Sequence, residues 1–207
     1  MYGSPGGSFP VRLLIECKYV KDPIVFWFDK KDADQAVDRI IRDIPILEKP
    51  KENVNIEGHH WYSVKEVAKL FATFNPNREE RQPENEIIFS SIDKVLNCLI
   101  YHRNTPSQHL SGNPGRKSQP RINYPLILVD SFSKMFKTTL EHAECTEPLD
   151  KEIWFPAEVN YAYILYGDGR KYQYLEYFLV DIVNFIRLPD YLALLEEKDI
   201  QAAKLML

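Results

Sequence analysis

Ten residues near the start of the chain, VRLLIECKYV (Val11 to Val20), pass from an unbroken apolar stretch straight into a glutamate and a lysine. A short apolar run bounded by polar and turn-forming residues reads as a strand covered on both faces. A second such run, IVFWF, follows the short loop Lys21-Asp22-Pro23. Beyond it, Asp29 to Asp34 supply candidate N-caps, and Ala36, Val37, Ile40, Ile41 and Ile44 recur at helical spacing as far as Pro45. The local order is strand, strand, helix. A helix with one apolar stripe and strands apolar on both sides pack together as an α/β domain, a mixed sheet flanked by helices.

The remaining elements are read from the same periodicities. Ser63 and Glu66 have the spacing of a capping box in front of VKEVAKLFATF, which predicts a short amphipathic helix there. Ser91 opens a second helix, IDKVLNCLIYHR, with Ile92, Val95, Leu96, Leu99 and Ile100 as its buried stripe. Residues 104–124 hold many turn formers and no acidic residue, so a mobile basic loop is expected. PLILVDSF reads as a strand, followed by a helix through Lys134 to His142. Two aromatic runs flank Gly167-Asp168-Gly169, a hairpin signal. Leu188 to Leu207, with Pro189 in the first turn, closes the chain as an amphipathic helix.

At 207 residues the chain is expected to form a single domain, 1–207. No apolar run approaches the about 20 residues of a membrane span, so a soluble protein is expected. Cys17, Cys98 and Cys145 are odd in number and widely spaced, which fits reduced thiols and a cytoplasmic location. A net charge of −4 excludes a generally basic surface, although a local cationic groove is compatible with it.

Glu16 and Lys18 stand two apart on a strand and therefore leave the same face together. Two charges beside Leu13, Leu14 and Ile15 need partners or a task, since burying them alone is unfavourable. One explanation is an ion pair at a strand end; the other is a hydrolytic site.

Four residues of an apolar strand, then Glu-Cys-Lys, an aromatic, a short loop, a second apolar strand and an amphipathic helix together resemble the PD-(D/E)xK, or restriction endonuclease-like, nuclease superfamily over residues 10–45. The resemblance implies a metal-dependent nuclease that hydrolyses DNA, in restriction, repair or defence. It implies Glu16 as ligand of Mg²⁺ or Mn²⁺ and Lys18 as the cation that positions the attacking water. It also implies a contribution from the following helix, for which Gln35 is the candidate. The family's first metal-binding aspartate lies upstream of the glutamate, yet residues 1–15 contain no Asp or Glu. A chain lacking its N-terminal part is the expectation; the other possibilities are a replacement carboxylate within the chain, for which Asp29 and Asp32 and then Asp22 are the candidates, or loss of catalysis. The alternative is a catalytically inactive nuclease-like module that binds or scaffolds.

Further candidates are more diffuse. Asp130 and Asp181 each follow an apolar run ending in Leu-Val, and either line a second metal site or, respectively, end a strand and pair with a buried Arg or Lys. Arg103, Arg116, Lys117 and Arg121, near His109, are candidates for contact with DNA phosphates. His59, His60, His102 and His142 lack zinc-site spacing. Tyr161, Tyr163, Tyr166, Tyr172, Tyr174 and Tyr177 alternate along the hairpin, as packing or base-stacking residues. Oligomeric state is open, a dimer included.

Overall fold

The computed structural model describes residues 11–43, 56–74, 87–104, 122–139, 141–142 and 146–200. Their strands are β1 (Val11–Lys18), β2 (Ile24–Lys30), β3 (Glu66–Thr73), β4 (Ile122–Val129), β5 (Met135–Thr139), β6 (Glu147–Pro148), β7 (Trp154–Gly167) and β8 (Arg170–Asn184). The helices are α1 (Ala33–Asp43), α2 (His60–Ser63), α3 (Ile87–Asn104) and α4 (Leu188–Leu195). All eight strands belong to one mixed sheet in the order β1-β4-β8-β7-β3-β2-β5-β6. The α/β class with a mixed sheet and flanking helices is therefore observed.

Connectivity forces this sheet to curl. In the sheet β1 and β2 are five steps apart, which for a flat sheet is about 24 Å at the usual strand spacing. The chain between Lys18 and Ile24 spans at most about 21 Å fully extended. β1 and β2 must therefore lie closer than a flat sheet would place them. Segments 19–23 and 130–134 turn this corner side by side, because β1 pairs in parallel with β4 before it and β2 pairs in parallel with β5 after it. Asp130 donates its N–H to the Lys18 carbonyl at 3.0 Å, and Ile24 donates to the Lys134 carbonyl at 2.9 Å.

Two cores lie on opposite faces. On one, Leu14, Phe26, Ala68, Ile127, Val129, Phe155, Phe178, Val180 and Ile182 pack against the α3 stripe. Ile92, Val95, Leu96, Leu99 and Ile100 are all buried, as their spacing predicts, and α3 starts one turn earlier than expected, at Ile87. On the other face, Val67, Tyr124, Leu126, Leu128, Leu179 and Val183 meet Ala36 and Ile40 of α1, Trp61 of α2, and Tyr191 and Leu195 of α4. The two-residue turn between paired Gly167 and Arg170 has Asp168 at φ 49° and Gly169 at φ 71°, the positive values that a twisted hairpin requires.

Two expected helices are strands. Residues 66–73 form β3: Val67 and Ala68 are adjacent in sequence yet buried in opposite cores, an arrangement only a strand permits. Ser63 ends α2 rather than opening a helix, its hydroxyl donating to the His60 carbonyl at 3.1 Å. Residues 135–139 form β5, held in parallel against β2. In both cases non-local pairing overrides a weak local preference. The basic loop expected at 104–124 is trimmed at both ends, since Asn104 is helical and 122–124 are strand; its residues 105–121 lie outside the described part. α4 ends at Leu195 and continues as a wider turn, Glu196–Ile200; residues 201–207 lie outside the described part. Among the described residues no helix is long and apolar enough to cross a membrane.

Candidate active site

β1 is an end strand of the described sheet, and parity places Arg12, Leu14, Glu16 and Lys18 on its α3 face. Leu14 is buried there, and the register sets Glu16 beside Ile127 and Lys18 beside Val129, both core residues. The strand therefore carries its charges out of the core only over its last turn of pleat. Lys18 Nζ lies 2.7 Å from Glu16 Oε1, with the two side chains 18% and 24% exposed. They leave the sheet together and remain reachable from solvent.

A third charge completes the site. Lys94, on the flank of the α3 stripe, places Nζ 3.0 Å from the same Glu16 oxygen. The Glu16 carboxyl is held below its ordinary range, chiefly by the hydrogen bond from Lys18 and, against the opposing effect of partial burial, by that from Lys94. The Lys94 ammonium is raised in turn, first by Glu16. One carboxylate between two ammonium groups leaves a local excess of positive charge, which suits a phosphate bridging the lysines.

Asp130 fixes the strand end that carries this trio. It sits one residue beyond β4, donates its N–H to Lys18, and accepts the Val20 N–H on Oδ1 at 2.8 Å. It ends its strand, as one of the two alternatives held.

The other expected residues fall elsewhere. Asp29 is exposed near the end of β2, which four intervening strands separate from β1 in the sheet, its Oδ1 accepting the Lys30 N–H at 2.7 Å. Asp32 caps α1, accepting from Gln35 N at 3.0 Å and Gln35 Nε2 at 2.6 Å. Gln35 thus sits at the start of α1, whose Ala36 and Ile40 pack on the face opposite α3. The helix that reaches Glu16 is α3, and its residue is Lys94. Arg103 closes on Glu176, Nη2 to Oε1 at 3.2 Å, where Arg39 Nη1 also lies 2.8 Å away. Arg116, Lys117, Arg121 and His109 lie outside the described residues. By alternation Cys17 leaves β1 on the face opposite Glu16 and Lys18, where it is exposed and not packed as a core thiol.

Asp181 overturns one expectation directly. It is fully buried, but among the described residues its partners are not an Arg or Lys. Its Oδ1 accepts Trp61 Nε1–H at 2.7 Å, and its Oδ2 accepts Tyr191 O–H at 2.6 Å and faces His60 Nε2 at 2.9 Å. The Trp61 indole and the Tyr191 hydroxyl are neutral donors, which satisfy a buried carboxyl with less desolvation than a cation would carry. His59 joins the same knot, accepting Trp61 N–H on Nδ1 at 3.2 Å and meeting the Tyr124 hydroxyl at 3.2 Å. These residues are sealed from solvent and staple α2 and α4 to the sheet.

Among the described residues no group of three or more His, Cys, Asp and Glu side chains gathers as a metal site. Glu16 is a single hard oxygen ligand, the minimum with which magnesium joins protein to substrate phosphate. No family model, curated protein or solved structure matches this chain. Fold and site together define a mixed α/β protein with a Glu-Lys-Lys trio at the end of an exposed edge strand.

Proposed function

We propose that the chain is a metal-dependent nuclease domain of the restriction endonuclease-like kind, hydrolysing DNA phosphodiester bonds at Glu16, Lys18 and Lys94. The observation that carries this reading is the convergence of both lysine Nζ atoms, at 2.7 and 3.0 Å, on one accessible carboxylate oxygen. A structural ion pair needs one lysine; a site for a phosphodiester uses two cations to hold the anion and a carboxylate to orient the nucleophile.

Glu16 would hold Mg²⁺ or Mn²⁺ through its carboxylate. The ion, when bound, supplies a water of lowered pKa. Lys18, fixed on β1, orients that water and meets the negative charge that develops on the phosphoryl oxygens. Lys94, more exposed at 58%, leaves Glu16 to neutralise a non-bridging oxygen as substrate arrives. Supercoiled plasmid incubated with the full chain and Mg²⁺ is nicked or degraded, and Lys18→Ala abolishes this; absence of cleavage on supercoiled, linear and single-stranded DNA overturns the reading.

A second reading, a non-catalytic binding or scaffold module, is favoured by the absence, among the described residues, of any group of three or more His, Cys, Asp and Glu side chains that could hold a metal ion. It is distinguished by DNA binding that persists without any hydrolysis.

A further inference from the structure

A groove is built from the segment that follows Lys18 and the helical turn that precedes Lys94. Tyr19, Val20, Lys21 and Asp22, directly after Lys18, face Ile87 and Ser90 of the first turn of α3 and Thr73 at the end of β3, around a space of about 350 Å³. Ser90 stands one helical turn before Lys94 and Tyr19 directly follows Lys18, so the same helix and the same end of β1 carry both the groove and the trio. Its volume falls within the range of small-molecule sites, about 300–1,000 Å³.

The wall formed by the 19–22 loop is anchored. The loop's Val20 N–H is held by Asp130 at 2.8 Å, the Lys21 carbonyl accepts Lys134 Nζ at 2.6 Å, and the Pro23 carbonyl accepts the Phe74 N–H at 2.8 Å. Tyr19 nevertheless is 62% exposed while lining the groove, one residue from Lys18. A rigid rim carrying an exposed aromatic ring, next to paired cations, combines a stacking surface with a phosphate grip.

The geometry points to this groove as a subsite for one unpaired nucleobase, stacked on Tyr19, whose phosphate lies on Lys18 and Lys94. This deepens the nuclease reading and rests on it: the substrate is a single-stranded or frayed DNA end. A base inside an intact duplex is held in its stack and reaches such a groove only after extrusion. Lys21, Asp22 and the Ser90 hydroxyl, which donates to the Ile87 carbonyl and retains free lone pairs, supply polar contacts to a base edge.

Fluorescence anisotropy of a short fluorescein-labelled single strand, titrated with the full chain in EDTA, reads affinity without turnover. The strand is expected to bind more tightly than the same sequence as a blunt duplex. Tyr19→Ala weakens strand binding roughly 5- to 150-fold, the loss of one base-aromatic stack, and Tyr19→Phe preserves it. Equal affinity for strand and duplex, or no loss in Tyr19→Ala, overturns the subsite. If strand binding depends on Tyr19 but the wild type never cleaves with Mg²⁺ or Mn²⁺, the subsite stands and the nuclease reading falls.

Discussion

Replacing Asp181 tests how α2 and α4 are held to the sheet. The Asp181→Ala side chain is too short to reach Trp61 Nε1, Tyr191 Oη or His60 Nε2, which now lie 2.7, 2.6 and 2.9 Å from the carboxyl oxygens. A hydrogen bond to a charged group contributes about 1.5–3 kcal/mol, so three independent bonds would sum to roughly 5–9 kcal/mol. They are not independent, since all three donors share one acceptor group and re-pair in part when it is removed. Breaking a buried polar network by removing one member typically costs about 3–5 kcal/mol, and about 4 kcal/mol is the expected loss. Asp181→Asn keeps the shape but turns an amide N–H₂ toward one of the donors, for an expected loss of about 2–3 kcal/mol. Urea unfolding followed by tryptophan fluorescence measures both. With a slope of about 2 kcal/mol/M, the midpoint falls by about 2 M for Ala and about 1 M for Asn. An Asn variant as stable as the wild type would refute the assignment of Asp181 as acceptor of three buried donors.

Other consequences are directly measurable. Lys94→Ala is expected to lower the rate of DNA cleavage by roughly 10²-fold, the scale of one lost donor to developing charge, while Gln35→Ala leaves it unchanged; rate constants under single-turnover conditions decide. Burial and Glu176 push the Tyr163 phenol up to about 12, and burial likewise raises Tyr161 and Tyr177. A raised folded pKa gives stability that is complete below the ordinary tyrosine value of about 10 and is lost as pH rises toward 12. Thermal midpoints should accordingly fall across that window, and Tyr163→Phe should flatten the fall. Gly169→Ala places a Cβ at φ 71°, where an L-residue is disfavoured by about 1–2 kcal/mol although nothing lies within contact distance, so a loss of about 1 kcal/mol in urea is expected.

The parts of the fold legible in the sequence are those set by near neighbours. The hairpin at Gly167 to Arg170 follows from two residues able to take positive φ, and the α3 stripe from its 3.6-residue period. The strands β3 and β5 were illegible because their pairing partners, β2 above all, are supplied by distant parts of the chain. VKEVAKLF carries a helical spacing by composition, and the sheet between β2 and β7 decides otherwise. The site divides along the same line. Glu16 and Lys18 were readable from strand periodicity alone. Which helix would cover them was not, because that depends on topology: Gln35 follows β1 more closely in sequence, yet α1 lies on the far face and α3 brings Lys94. Lys94 did have a sequence signal, a cation flanking a well-formed apolar stripe. Asp181 could be recognised as buried from its neighbours, but its donors lie 10 to 121 residues away and no local pattern names them.

The claim on which the functional reading turns is that Glu16 and Lys18 act on a phosphodiester as one unit. Single-turnover cleavage of labelled DNA by the full chain, with Glu16→Gln, Lys18→Ala and the double variant compared in Mg²⁺, measures this directly. Groups that work as a unit lose nearly the whole effect when either is removed, so each single variant and the double are expected to be slowed to the same floor. Additive losses, or a Lys18→Ala variant that cleaves at the wild-type rate, would contradict it.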